Sequence, residues 1–221
     1  MMKTRVRISF TVMVMIFSGA NAIAQIPVEV FAGDKKATVD IMFFRFIKNK
    51  AGHDSRFLFF NRNRAVIDYA MTKKNNLPQF GFTEACSYNH EKLKGFAPVV
   101  VAGILNSGLY PKAGIQFVKL KKDYTIFSWL VTETLKEPNV DFFCLVRYTP
   151  ALLHTFNLFS QVEFVNTFPT VPGKTFSFAQ RVRLGLKIRE FQFGAGLDLS
   201  QYGRVNFTTT VNIGGFIRYE F

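Results

Sequence analysis

The stretch Val211-Asn212-Ile213-Gly214-Gly215-Phe216-Ile217-Arg218-Tyr219-Glu220-Phe221 decides the fold. Val211, Ile213, Ile217, Tyr219 and Phe221 alternate with Asn212, Gly214, Arg218 and Glu220, the two-residue period of a strand with one apolar and one polar face. A soluble protein rarely finishes on so long a strand with its last aromatic residue bearing the free carboxylate. A transmembrane barrel closes with such a strand, apolar side to lipid and polar side to the lumen.

The beginning of the chain points to the same compartment. Lys3, Arg5 and Arg7 precede an apolar run from Ile8 to Phe17, and Ala20, Ala22 and Ala24 supply small residues ahead of Gln25. This predicts a cleaved secretory signal peptide over 1–24, leaving residues 25–221 as a single barrel domain. No stretch reaches the roughly 18 uninterrupted apolar residues of a spanning helix. Phe96 to Leu105 comes nearest, and Pro98 and Gly103 spoil it. Removing the segment takes away three positive charges, so the formal +13 falls to +10. With 27 Phe and one Trp in an exported chain, that excess does not suit nucleic acid and suits an anionic surface or anionic solutes. Cys86 and Cys144 fall in separate predicted strands and are expected to be free thiols, packed or facing lipid.

Period-two runs broken by turn residues predict strands near Pro27–Ala32, Thr38–Ile47, Arg56–Tyr69, Gln79–Tyr88, Phe96–Leu105, Lys112–Leu120, Tyr124–Leu135, Val140–Tyr148, Thr155–Thr167, Thr175–Arg189, Phe191–Ser200 and Val205–Glu220. The fold class is therefore an all-β, transmembrane, antiparallel up-and-down barrel of twelve strands, with ten as the alternative. Turn chemistry at Gly33-Asp34-Lys35, Lys74-Asn75-Asn76, Asn106-Ser107-Gly108, Glu137-Pro138-Asn139, Pro169 to Gly173 and Gln201-Tyr202-Gly203 falls on one side, expected to be the outer loops. Lys121-Lys122-Asp123, Pro150-Ala151-Leu152 and Arg189-Glu190 are expected to be tighter turns on the inner side.

The alternation also assigns faces. Phe191, Phe193, Ala195, Leu197 and Leu199 oppose Gln192, Gly194, Gly196, Asp198 and Ser200. Phe176, Phe178, Val182, Leu184, Leu186 and Ile188 share a face, leaving Arg181, Arg183, Lys187 and Arg189 on the other. A Lys or Arg on the lipid face near the midplane costs about 2–4 kcal/mol, so the basic row must point inward. Arg62, Arg64, Arg147 and Arg218 join it, with Asp68, Asp141, Glu163, Asp198 and Glu220 as acidic partners expected to pair with the arginines. Phe44, Phe60, Phe143 and Phe159 also point inward and argue for partial filling.

Two readings of this net basic lumen stay open: a structural ion-pair network, and a narrow pore or binding site for small anionic solutes. A lipid-modifying barrel enzyme would need a base beside a hydroxyl at the bilayer edge. His53, His90 and His154 are scattered over inner-side connections and none accompanies a nucleophile motif, so no catalytic residue is assigned. No metal-ligand spacing and no cofactor motif is present in the sequence. Gly194, Gly196 and Gly214-Gly215 are expected to ease curvature or make room for large neighbours.

With the leading segment, the alternating strands and the Gly214-to-Phe221 ending taken together, the chain resembles a small outer-membrane β-barrel of Gram-negative bacteria. More narrowly, Phe59-Phe60-Asn61-Arg62-Asn63-Arg64, Leu77-Pro78-Gln79-Phe80-Gly81-Phe82, Tyr110-Pro111-Lys112-Ala113-Gly114 and Gln180-Arg181-Val182-Arg183-Leu184-Gly185-Leu186 look similar to barrels of unassigned role in Bacteroidota. The resemblance implies fold and compartment, and an insertion signal at Ile217, Tyr219 and Phe221. It brings no catalytic or ligand residues. The partners it implies are outer-membrane lipid and lipopolysaccharide and the barrel-insertion machinery, beside the small anionic solute that the basic lumen suggests.

Overall fold

The twelve strands are Pro27–Gly33 (β1), Lys36–Lys48 (β2), Asp54–Asp68 (β3), Gln79–Tyr88 (β4), Phe96–Leu105 (β5), Gly108–Leu120 (β6), Tyr124–Glu133 (β7), Val140–Tyr148 (β8), Asn157–Phe168 (β9), Phe176–Ile188 (β10), Phe191–Gly203 (β11) and Phe207–Glu220 (β12). Each pairs antiparallel with the next and β1 pairs with β12, so the sheet closes with no free edge. The computed structural model describes residues 26–70, 78–135, 138–153 and 155–221. The predicted signal segment 1–24, the turn residues Lys74, Asn75 and Asn76, together with Glu137 and His154, lie outside the described residues. Among the described residues no helix is long and apolar enough to cross a membrane.

The even count of twelve depends on β1, whose seven residues seal the seam with β12. The register there runs from Pro27↔Glu220 to Gly33↔Gly214. It continues past both strands, with Ile26 N donating to Phe221 O and Phe221 N to Ile26 O, each at 3.2 Å. Where β1 stops, the Asn212 side chain bridges the gap: its Oδ1 accepts from Lys35 N at 2.8 Å and Lys36 N at 3.0 Å, and its Nδ2 donates to Lys36 O at 3.2 Å. A Cβ on Gly33 would lie 2.3 Å from Asn212 Oδ1, so a larger residue there would have to displace this bridging amide.

Several boundaries differ from the sequence reading, for identifiable reasons. Gln201, Tyr202 and Gly203 belong to β11, and the turn sits one step on at 204–206. β6 begins at Gly108 and runs through Pro111. The proline is tolerated because its carbonyl points to β7, accepting from Thr134 N at 3.0 Å, just beyond the last laddered pair Lys112↔Glu133. Pro150-Ala151-Leu152 is not a tight turn but part of a longer connection between Tyr148 and Asn157. Arg189 does not join the inward basic row. It is the first residue of a two-residue turn between the paired Ile188 and Phe191, exposed, with φ of 54°.

The period of two sends alternate side chains outward and inward all around the barrel. Leu184 and Ile217 are 56% and 62% exposed on the outside, while the flanking Arg183 and Arg218 are 2% and 3% exposed inside. Cys86 and Cys144 are free and lie in the outward rows of β4 and β8. Some inward glycines mark close approaches. A Cβ on Gly196 would sit 2.8 Å from Phe31 Cε2 and 3.0 Å from Arg183 Nη1, so this glycine makes room for both.

If the outward rows meet hydrocarbon, Leu184→Arg should cost about 2–4 kcal/mol of stability in lipid, while Val205→Arg in the exposed turn should cost less than about 0.5 kcal/mol. Denaturant titration in lipid vesicles, followed by the heat-modifiable gel shift of the folded barrel, measures both.

Candidate functional site

The interior is divided laterally. One wall, from β2 to β8, supplies Met42, Leu58, Phe60, Ala85, Val99, Val101, Val118, Phe127, Trp129, Val131, Phe143 and Leu145, one continuous apolar cluster. Phe127 stacks on Phe44 and on Phe60, each with ring centroids 5.1 Å apart, and Phe60 meets Trp129 edge-on at 4.9 Å. Since Phe44 and Phe60 project from β2 and β3 and Phe127 from β7, these rings span the lumen. The geometry places Phe44, Phe60, Phe143 and Phe159 inside. Phe31, Phe127, Trp129 and Phe216 join them without having been singled out in the sequence.

The ionic side chains come from β1, β2 and β3 and from β9, β10 and β11, so the two groups share β2 and β3. Arg62 grips Asp40 through Nε at 3.1 Å and through a second contact from Nη2, and reaches Glu163 on the opposite strand β9 at 2.9 Å. Glu163, 1% exposed, also accepts from Arg181. Arg64 lies 3.5 Å from Asp40 and 3.4 Å from Asp198. Arg183 takes Asp198 at 2.7 Å and Glu29 at 2.9 Å, with its guanidinium 4.0 Å from the Phe31 ring centroid. The result is one chain, Arg181–Glu163–Arg62–Asp40–Arg64–Asp198–Arg183–Glu29, in which four arginines balance four carboxylates.

The remaining predicted residues sit beyond this chain. Asp68 pairs with Lys36 at 3.3 Å and Asp141 with Lys112, at the end of the barrel away from the chain termini. Glu220 takes Lys187 at 2.6 Å, with Arg218 at 4.0 Å. The expectation that arginines would pair with all five predicted acids is thus corrected: Asp141 and Glu220 take lysines at closest approach, and arginine pairing falls to Glu163, Asp198, Glu29 and Asp40. Glu29 and Asp40 were missed, although the rule that turned the arginines inward applies to them, since each sits between outward apolar residues in Val28-Glu29-Val30 and Val39-Asp40-Ile41.

Arg147 and Arg218 are left over. Both bind Gln161 Oε1, at 2.9 and 3.3 Å, and both lie over the Phe159 ring, at 5.9 and 5.7 Å from its centroid. Arg147 Nη2 and Arg218 Nε and Nη2 are buried without a hydrogen-bond partner; Nε and Nη1 of Arg64 also make no hydrogen bond, although Nη1 is held in the ion pair with Asp40. Buried guanidinium donors without acceptors are costly, and they are where an anion would be held.

Space is distributed unevenly along the axis. Cavities of about 160 Å³, beside Trp129, Lys112 and Asp141, and about 150 Å³, beside Lys36, Arg64 and Asp198, open toward the end away from the termini. About 560 Å³ lies at the opposite end, beside Phe46, Arg56 and His90. Between them, among Glu29, Asp40, Arg62, Glu163, Arg183 and Arg218, only about 10 Å³ remains, room for one water-sized species. Among the described residues no group of three or more His, Cys, Asp and Glu is placed to hold a metal.

No family model matches the sequence, and no curated protein matches it either. Among solved structures the chain is similar to a KdgM porin in complex with disordered oligogalacturonate, with a TM-score of 0.50 at 12% identity over 89% of this chain and 99% of that one. A second KdgM porin structure gives 0.49 at 11% identity over the same shares. The first likeness establishes a shared barrel fold.

Removing Glu163 would leave Arg62 and Arg181 short of a counter-charge in the buried chain. Glu163→Ala is expected to cost about 3–5 kcal/mol, whereas Lys48→Ala, which breaks an exposed pair with Asp54, should cost under about 1 kcal/mol. Parallel denaturant titrations of the two variants check the contrast.

Proposed function

We propose that this chain is an outer-membrane β-barrel of a Gram-negative bacterium, without enzymatic activity, that takes small anions into its interior beside Arg147 and Arg218. The observation that carries the reading is the set of buried guanidinium donors on Arg147 and Arg218 that lack acceptors, in an interior whose arginines are otherwise matched to carboxylates. A basic constriction favours anions by electrostatics, and the likeness in fold to a porin seen with the polyanion oligogalacturonate is in keeping with that. The apolar exterior is suited to lipid and, at its rim, lipopolysaccharide. The barrel-insertion machinery would deliver it there after removal of residues 1–24.

Side chains of β3 reach across the lumen to β9 at Arg62–Glu163 and to β8 at Phe60–Phe143, so passage would require the ionic chain to part. The same contacts favour a second reading, a filled barrel that serves as a scaffold for a partner.

Planar-bilayer recording separates the two. The anion reading expects brief openings with a reversal potential favouring anions in a potassium chloride gradient. It also expects a monatomic halide such as bromide to bind, read by anomalous scattering or halide titration, weakened about 10-fold or more in Arg147→Ala and Arg218→Ala through loss of a charged hydrogen bond worth about 1.5–3 kcal/mol. Neither current nor halide binding, or a cation preference, would leave the scaffold.

A further inference from the structure

The two cavities at the end away from the termini differ in kind, and the one of about 160 Å³ is built in two tiers. Its floor is made by the buried rings of Phe60, Trp129 and Phe143, with Val101 and Val131 beside them. Its rim carries the ion pair of Lys112 with Asp141, and Thr167 Oγ1 donates to Asp141 Oδ1 at 2.6 Å. The register sets this order. Val131 lies opposite Asp141, and Trp129 lies opposite Phe143 two positions deeper on the same pair of strands. Lys112 lies opposite Val101. At its inner edge the cavity meets Arg62, which also lines the constriction and is held there by Asp40 and Glu163. A charged pair therefore stands over an apolar cup that is open outward and blind inward.

Size and lining define what fits. An apolar cavity of about 150 Å³ lined by Leu, Ile and Phe stays dry and binds benzene, and the floor of this cup matches it in volume and chemistry. Its rings are set at different angles: Phe60 meets Trp129 edge-on, with 76° between the planes, whereas Trp129 and Phe143 are tilted by 37° with centroids 5.0 Å apart. A further ring can pack against such a set by an edge or an offset face. The rim selects the polar group of the guest. A carboxylate would be repelled by Asp141 and an ammonium by Lys112, while a hydroxyl donates to the one and accepts from the other.

We propose that this cavity binds a neutral, single-ring aromatic alcohol of the phenol class, its ring on Phe60, Trp129 and Phe143 and its hydroxyl between Lys112 and Asp141. The inference goes beyond the anion reading and does not rest on it, since the site uses neither Arg147 nor Arg218.

Trp129 is the one tryptophan of the sequence, so the floor of the cup carries its own reporter. Folded protein in detergent is excited at the red edge of tryptophan absorption and titrated with 4-bromophenol, whose heavy atom quenches an indole that it touches. Saturation-transfer NMR on the same ligand supplies a readout independent of Trp129. The expected result is saturable quenching, weakened at least tenfold in Val101→Phe, which fills the cup, and about tenfold in Asp141→Leu, which removes a charged hydrogen-bond acceptor, with the heat-modifiable gel shift retained in both. Val131→Leu, a smaller filling change, should weaken binding in the same direction and keeps the test open should Val101→Phe fail to fold. The charged analogues 4-bromobenzoate and 4-bromobenzylamine should each bind at least tenfold more weakly than the phenol. Quenching that never saturates or that follows the detergent concentration, binding unchanged in the filled and rim variants, or 4-bromobenzoate bound as tightly as the phenol would overturn the proposal. Failure of bromide to bind beside Arg147 and Arg218 would leave all of these outcomes as they are, so the two readings fail separately.

Discussion

A strand has two faces and only one of them can be greasy on the outside of this barrel; the rest of the structure depends on that constraint. The period of two means that a one-residue slip would exchange the faces, carrying Arg181, Arg183 and Lys187 outward together and Leu184 inward. Register is therefore held by the sum of many side chains rather than by any one turn. Closure at β1 and β12 removes the last unpaired backbone, which a sheet surrounded by hydrocarbon could not leave open.

Turning the charges inward concentrates them where water is scarce, and the interior answers by matching them. Four arginines and four carboxylates alternate along one chain of contacts that crosses the lumen from β3 to β9. Aromatic rings from β1 and β9 lie beside the guanidiniums as well, Phe31 under Arg183 and Phe159 under Arg147 and Arg218. A neutral balance of this kind is structural. Function is sought where the balance fails, at Arg147 and Arg218, whose buried nitrogens lack acceptors.

The outward face supplies the complementary exception. Glu84 breaks the rule that fixes every other described strand carboxylate, and it does so within a relay of amides rather than in isolation. The two departures, surplus donors inside and a carboxylate outside, lie on opposite faces of the sheet.

By itself the sequence determined the twelve strands, their order and the facing of most side chains, because alternation of charge with apolar residues is a local signal. It was legible in β10 and β12, where Arg183, Lys187, Arg218 and Glu220 each sit between apolar or aromatic residues. It was silent in Tyr124–Glu133 and Phe96–Leu105, where both faces are apolar, so Phe127, Trp129, Val99 and Val101 emerged as interior residues only in the fold. The tertiary structure alone decided which charges are partners. Arg62 and Glu163 are 101 residues apart and meet because the lumen is narrow enough for opposite walls to touch, a distance that no pattern along the chain encodes.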